Sequence, residues 1–365
     1  MRVLVVNAGS SSLKVSVVDP DDSTVVEREF KADGGRYRDA ELQSALREMK
    51  GIEAVGHRVV HGGAKYPAST RIDPQLVDYL ATITDLAPLH LPASLAGIAA
   101  VRDLLPRIPA VACFDTAFHS KMPAEASTYA IPIQWRTQYG IRRYGFHGFS
   151  HAYAARRASE ILGRPEAFLR TITCHLGSGA SLAAVFGGRS VDTTMGFTPM
   201  EGLVMGTRSG SVDPGLILWL QRHAGLSESQ LTEALDERSG LYGLAGIADM
   251  REVVRGAAAG SDQSRLALDV YLHRLRACIA AMAAAMNGAD AVVFTGGVGE
   301  NAPPVRAAAA EGLRFLGLEI DPGLNGDLKG DGDISTAGAE VRTLVVHARE
   351  DIEVAREVRR VLAET

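Results

Sequence analysis

Apolar runs alternate with small polar turns from the first residues onward. Val3-Leu4-Val5-Val6 leads into Asn7-Ala8-Gly9-Ser10-Ser11-Ser12, then Leu13-Lys14-Val15-Ser16-Val17-Val18. Two β-branched runs flanking a turn that Gly9 can bend predict a hairpin at the start of an α/β domain. The turn leaves amides and hydroxyls uncovered, and with Lys14 just beyond they suit a phosphate. The pattern returns in the second half. Thr171-Ile172-Thr173-Cys174 runs into His175-Leu176-Gly177-Ser178-Gly179-Ala180-Ser181, then Leu182-Ala183-Ala184-Val185-Phe186. With one inserted residue, Gly9 falls on Gly177, Ser10 on Ser178, Ser12 on Ser181 and Leu13 on Leu182. A strand–turn–strand unit in each half predicts two similar α/β domains, each offering a phosphate hairpin to a shared cleft.

Between and beyond these hairpins the periodicity predicts further elements. Residues 19–50 are polar and carry Gly34-Gly35 and a short helix over Ala40–Met49. Ala54-Val55-Gly56-His57-Arg58-Val59-Val60 reads as a strand ending at His61-Gly62-Gly63. A helix spans 73–84, with Asp73 as N-cap and Pro74 in its first turn. A proline-bracketed loop, Ala87–Pro92, precedes a helix over Ser94–Leu105 and a strand over Pro109–Phe114. Ser150 reads as the N-cap of a helix running to Leu162. Residues 193–215 form a glycine-punctuated binding loop, followed by helices at 214–224, 227–238 and about 264–287. Strands at Ala291–Thr295 and Val341–His347 each feed a helix, the last ending near Leu362. The predicted domains are 1–150, joined by a C-terminal helix over about 352–365, and 151–351.

Composition narrows the classes. At 365 residues, 46% hydrophobic and 22% charged, the chain reads as an ordinary two-domain globular protein. A net charge of −5 argues against a nucleic-acid or membrane-surface binder. Cys113, Cys174 and Cys278 form no CxxC pair, so the expected compartment is a reducing cytoplasm, without a disulfide framework or zinc ribbon. The strand-like start carries no leader pattern, and the apolar stretch near Ala277–Met286 is too short to span a bilayer.

Several local patterns carry candidate chemistry. His57 and His61 mimic a metal pair at i, i+4, but on a strand they lie roughly 13 Å apart. Arg58 at the strand end is the better candidate. Asp115, at the C-terminal end of a predicted α/β strand, sits where such sheets meet ligands. His147 lies in the segment Arg143-Tyr144-Gly145-Phe146-His147-Gly148, whose His, Gly and aromatic content suits a site better than plain packing. Gly297 to Ala302 formally satisfies G-x-G-x-x-A, but a Rossmann unit normally begins its domain. A nucleotide over those glycines fits either reading. Asp327–Gly338 resembles a calcium loop only in acidity, and there is no Walker A sequence.

Together these motifs resemble the acetokinase family. The resemblance rests on Asn-x-Gly-Ser-Ser-Ser-x-Lys at Asn7, His-Arg-Val-Val-His-Gly-Gly at His57 and Phe-Asp-Thr-Ala-Phe-His at Phe114. It extends through Arg-Tyr-Gly-Phe-His-Gly at Arg143, His-Leu-Gly-Ser-Gly at His175 and Gly-Thr-Arg-Ser-Gly at Gly206. Asp-Met-Arg at Asp249 and Gly-Gly-Val-Gly-Glu-Asn at Gly296 complete it, in family order over nearly the whole chain. The resemblance implies a duplicated two-domain, actin-like (ribonuclease H-like) kinase fold with a central interdomain cleft. It implies Mg²⁺-dependent transfer, with Mn²⁺ as a substitute, between ATP and acetate, giving ADP and acetyl phosphate, in a cytoplasmic homodimer. Residue by residue, Asn7 and Glu350 match the metal positions. Lys14, His175, Leu176, Gly177, Ser178, Gly179, Asp249, Met250, Arg251, Gly297, Val298, Gly299, Glu300 and Asn301 match the ATP-binding segments. Arg58 matches the substrate arginine, and Val60, Leu89, Phe146 and Pro199 the pocket for the acetate methyl. Asp115 matches the acid/base position, and His147 and Arg208 the transition-state stabilisers. Acetate has no proton to lose at neutral pH, so we expect Asp115 to orient Arg58 or a metal-bound water instead.

The same resemblance shows where this chain departs from the family. Residues 19–50 are short, Leu91-Pro92-Ala93-Ser94 replaces a common Asn-Pro-Pro-Asn, and Ser178 and Ser211 stand at positions more often Asn and Asp. A propionate or butyrate kinase is the neighbouring reading, which a smaller residue at Val60 would favour. A non-enzymatic ATP-dependent clamp would need no two-arginine acceptor site.

Overall fold

β1 (Val3–Ala8) alternates its side chains between two cores: Leu4, Val6 and Ala8 face one, and Val3 and Val5 the other. Such a strand is buried on both faces, which explains its nearly unbroken apolar run. In this computed structural model every residue is described except 10–11, 34–35, 38–43, 47, 89 and 365. The chain divides into two compact units. The first comprises Met1–Ser120, Gly148–Tyr153 and Arg349–Thr365, the second Lys121–His147 and Ala154–Ala348.

In the first unit β1 pairs antiparallel with β2 (Ser12–Val18), and β2 antiparallel with β3 (Thr24–Asp33). After β4 (Arg36–Tyr37), β5 (Ala54–Val59) lies parallel to β1 on its other side. Past β6 (Thr70–Arg71), β7 (Ala110–Phe114) lies parallel to β5. The sheet order is β4-β3-β2-β1-β5-β7-β6. The helix Leu91–Leu104 covers one face through Val101, with Ala96, Ala100 and Leu104 beside it. The helix Glu350–Ala363 covers the other through Val354, Ala355 and Val358. Its approach to β5 is close: a Cβ on Gly56 would sit 2.7 Å from Val358 Cγ2 and 2.8 Å from Val354 Cγ1. Gly56 therefore sets the height of that helix, and with it the start of the helix at Glu350.

The second unit repeats the plan. β8 (Arg170–Leu176) pairs antiparallel with β9 (Ala180–Phe186), which pairs antiparallel with β10 (Arg189–Thr193). β11 (Ala291–Thr295) lies parallel to β8. After β12 (Gly332–Asp333), β13 (Arg342–Val345) lies parallel to β11. The order β10-β9-β8-β11-β13-β12 contains the first unit's five-strand sequence β3-β2-β1-β5-β7, strand for strand and direction for direction. The duplicated hairpin in the sequence is thus the visible part of a duplicated sheet, and the fold is the two-domain, actin-like α/β fold.

Some local expectations change. The helix expected from Ser94 begins at Leu91, because Pro92 fits a first turn, where its missing N–H costs nothing. Ser150 is not an N-cap: the helix Gly148–Leu162 starts earlier, with His147 in the capping position. Packing overrides the serine's capping preference, since Gly148 N donates to Asp115 O at 3.0 Å. A Cβ there would sit 2.2 Å from that oxygen. Much of the expected helix Ala40–Met49 lies outside the described residues, and residues 44–46 are helical. A helix the sequence reading lacked, Gly240–Ala245, follows the second-unit loop. The acidic run from Asp327 spends its charge on arginines: Asp331 on Arg157 at 2.8 Å and Asp333 on Arg342 at 2.7 Å.

Candidate active site

Register builds the first group. Asn7, near the end of β1, stands opposite Lys14 on β2 and opposite Arg58 on β5. Opposed residues share a face, so one row across three strands carries an amide, an ammonium and a guanidinium. The three line a cavity of about 270 Å³ together with Gly9, Ser12, Val60 and His90. Lys14 Nζ lies 3.8 Å from Glu29 Oε2, and both side chains are about half exposed.

Arg58 is fixed from two directions. Its Nε donates to Asp115 Oδ1 at 2.9 Å and its Nη2 to Asp115 Oδ2 at 2.8 Å. Its Nη1 meets Glu350 Oε2 at 2.9 Å. Asp115 is buried just past β7, with its amide donating to Val59 O at 3.0 Å. Burial works against the Arg58 charge, but Asp115 and Glu350 more than offset it and hold the guanidinium above its usual range. Burial pushes the Asp115 carboxyl up, against the opposing pull of Arg58, and Glu350 adds to the rise. Glu350 opens its helix, but its carboxylate goes to Arg58 rather than to a helix cap.

The second unit holds another cluster. His147 has φ 56° and ψ 29°, a left-handed conformation that costs a non-glycine residue roughly 1–3 kcal/mol and is concentrated at functional sites. Its Nδ1 lies 2.8 Å from Ser181 Oγ, and its ring stacks on His175 at a centroid separation of 4.3 Å. Ser181 and His175 face each other across the β8–β9 pair, so the duplicated hairpin itself seats the imidazole. A Cβ on Gly179 would lie 3.5 Å from His147 Nε2 and 3.3 Å from Arg208 Nη1. The absent side chain lets these two groups flank one point. Arg208 Nε donates to Asp236 Oδ1 at 2.9 Å, and Nη1 to Pro199 O at 3.3 Å.

A second cavity in this unit, of about 480 Å³, takes Gly177 and Ser178 from the hairpin. Its wall continues through Asp249, Met250 and Arg251, then Gly297, Val298 and Asn301. Gly206 N donates to Ser178 O at 3.1 Å and so fastens the long loop to the hairpin turn. Asp249 caps the helix Met250–Ala258 through Arg251 N. The Arg251 side chain holds its carboxyl down at about 2.

Not every expected residue reaches these walls. Leu176 and Gly299 are packed beneath. Glu300 Oε1 accepts from Gly296 N and Ala348 N, both at 2.9 Å, and ties two loops together. Val60 lines the first cavity, Leu89 lies outside the described residues, and Phe146 and Pro199 belong to the second unit. Sequence reasoning missed His90, Gly206, Leu241 and Tyr271 as cavity walls, and Asp236 and Ser181 as supports. The Ser12–Ser181 equivalence was the available signal for Ser181.

Magnesium is a hard cation that keeps several waters and takes only one or two protein carboxylates beside substrate phosphates. Asp115 and Glu350 outnumber the one guanidinium between them, so this three-residue group carries net negative charge. With the Asn7 amide nearby, that donor set fits a divalent cation. Among the described residues, no cluster of three or more His, Cys, Asp and Glu forms an all-protein metal cage.

Comparison with known proteins identifies the family. A family model described as the acetokinase family matches residues 38–356. The acetate kinase of Gloeobacter violaceus is 55% identical over 308 residues, covering 84% of this chain and 76% of that protein. The crystal structure of Porphyromonas gingivalis acetate kinase superposes with a TM-score of 0.89 at 36% identity, covering 99% of both chains. That of a propionate kinase from Francisella tularensis gives 0.91 at 35%, again covering 99% of both. With its family motifs in order, its duplicated sheet and relatives at this level of identity, the chain belongs to the acetokinase family.

Proposed function

We propose that this protein transfers the γ-phosphoryl group of ATP to the carboxylate of acetate, reversibly, giving ADP and acetyl phosphate by direct in-line attack. The observation that carries the reading is the guanidinium of Arg58, locked by Asp115 and Glu350 in a cavity that Val60 makes partly apolar. Acetate has the matching chemistry: two oxygens for a cation and one methyl for an apolar wall.

The barrier is largely electrostatic. Acetate and the γ-phosphate are both anions, and two unit charges 4 Å apart repel by about 4 kcal/mol at an effective dielectric near 20. Arg58 binds and orients the acetate carboxylate, while Asp115 keeps Arg58 from turning away. His147 and Arg208 donate to the equatorial oxygens of the transferring group, where charge is spread in the transition state. The cavity at Gly177, Asp249 and Gly297 holds the nucleotide, and Lys14 meets its phosphates. Asn7 and Glu350 would hold Mg²⁺, with Asp115 orienting Arg58 or a metal-bound water; the ion would neutralise phosphate charge. Water exclusion during transfer follows the usual logic of phosphoryl enzymes.

The helix Pro214–Ala224 exposes Leu216, Leu218 and Trp219, apolar surface that supports a homodimer. Among the described residues no helix is long and apolar enough to cross a membrane, and a cytoplasmic site of action accompanies the proposal.

The test is a hydroxamate assay for acyl phosphate with acetate, propionate and butyrate. We expect acetate to be preferred and propionate to be used less well, since one methylene is worth about 1–3 kcal/mol of discrimination. Faster turnover of propionate would reassign the acceptor. Nucleotide binding without any acyl phosphate would point to a non-enzymatic clamp.

A further inference from the structure

Among the described residues, Arg208 forms its ion pair with Asp236. That carboxylate sits in the last turn of the helix Glu228–Glu237, the negative end of a helix dipole, where an acidic side chain is locally unfavourable. The helix has no basic residue in that turn to compensate. A locally unfavourable residue at such a point calls for a local gain elsewhere, and the geometry supplies one.

The end of this helix holds the arginine segment residue by residue. Thr207 Oγ1 donates to Asp236 O at 2.8 Å, Arg208 Nε to Asp236 Oδ1 at 2.9 Å, and Ser209 N to Leu235 O at 3.0 Å. Ser239 closes the set: its N donates to Thr207 O at 2.8 Å and its Oγ to Ala234 O at 2.7 Å. The last carbonyls of a helix lack partners within it, and here they are spent on one short stretch of loop. The backbone around Arg208 is thereby fixed without Asp236's side chain. What that carboxylate adds is the direction of the guanidinium, because it takes Nε. With Nε held and Nη1 directed toward Pro199 O, the plane of the fork is set beside Gly179 and His147.

We propose that Asp236 is the positioning residue of the phosphoryl-transfer step, acting through Arg208. It touches no substrate and fixes the plane in which Arg208 presents its Nη donors. The inference rests on the reading of Arg208 given under Proposed function.

The test compares Asp236→Ala, Asp236→Asn, Arg208→Ala and the Asp236→Ala/Arg208→Ala double variant for acetyl phosphate formation, with ATP and acetate varied and melting temperatures recorded. Asp236→Ala should lower kcat about tenfold or more with the KM for ATP within about twofold, the split expected when only transition-state contacts are lost. Asp236→Asn, whose amide oxygen still accepts from Nε, should recover most of that loss. In the Arg208→Ala background, Asp236→Ala should add nothing, since both changes act on one interaction. Asp236→Ser, too short to reach Nε, carries the same expectation should the alanine variant fail to fold. An unchanged kcat in Asp236→Ala beside a crippled Arg208→Ala overturns this inference alone. So does an equal further loss in both backgrounds. Full activity in Arg208→Ala overturns the reading of Arg208 and this inference with it.

Discussion

Arg58 and Asp115 meet through two parallel hydrogen bonds, at 2.9 and 2.8 Å, in a site where Asp115 is 2% exposed. A carboxylate engaged through both oxygens is poorly placed to collect a proton, and acetate has none to give at neutral pH. The pair is better understood as one rigid clamp that fixes the guanidinium in place. Such buried pairs contribute through geometry, and removing one partner costs about 3–5 kcal/mol because the other is left uncompensated.

Replacing Asp115 by Asn retains the shape and one acceptor while removing the charge. Steady-state kinetics of Asp115→Asn should show an acetate KM close to the parent value, a kcat at least ~100-fold lower and a flattened response to magnesium. If the magnesium response survives and the basic limb of the pH–rate profile disappears instead, Asp115 is a base after all.

His147 combines a strained backbone with a functional ring, and one substitution separates them. Asparagine tolerates the left-handed region better than most residues. His147→Asn should therefore keep its melting temperature while losing roughly 100–10,000-fold in kcat, the range for a positioned proton donor or acceptor. A large drop in melting temperature with activity retained would make the ring a packing element.

Gly179 offers a steric test of the same point. Its missing side chain leaves 3.3 Å to Arg208 Nη1 and 3.5 Å to His147 Nε2. Gly179→Ala should push the guanidinium aside and reduce kcat about tenfold or more, since small misplacements at a transfer site are costly. Unaltered turnover would show that this point is not where transfer occurs.

Two buried histidines give the first unit a pH dependence with a definite sign. Burial pushes His57 down to about 3 and His61 to about 4. An unfolded histidine titrates near 6.5, so below about that pH the unfolded chain binds protons the folded one refuses. Stability is complete above about pH 6.5 and falls as pH drops toward the folded values, by at most ~1.4 kcal/mol per unit for each group. Denaturant unfolding at about pH 7, 6 and 5 should show this slope, and His57→Leu should flatten it. An identical slope in the variant would assign the acid sensitivity to other groups.

The parts of the fold legible in the sequence are those set by local pattern. β1–β2 and β8–β9 announce themselves because β-branched runs flank short Gly/Ser turns, and their likeness discloses the duplicated sheet. Arg58 and Asp115 were also legible, as charged residues at strand ends. What was hidden depends on approach in space. Ser150 has the chemistry of a cap, yet the contact of Gly148 with Asp115 O moves the helix start to His147. Leu91 begins its helix because Pro92 sits in the first turn, which a reading keyed to Ser94 overlooks. Asp236 lies among Glu233, Glu237 and Arg238, and nothing local separates it from an ordinary solvated charge. Its role comes from a loop about thirty residues upstream, docked on the end of its helix.

The most direct measurement is acetyl phosphate formation from saturating ATP, magnesium and acetate by the parent protein, Arg58→Ala and Arg208→Ala, with nucleotide binding measured in parallel. The account predicts acyl phosphate from the parent, a rate at least ~100-fold lower in each variant, and nucleotide affinity little changed. A parent that binds nucleotide but phosphorylates no short carboxylate, or variants that keep the parental rate, would contradict it.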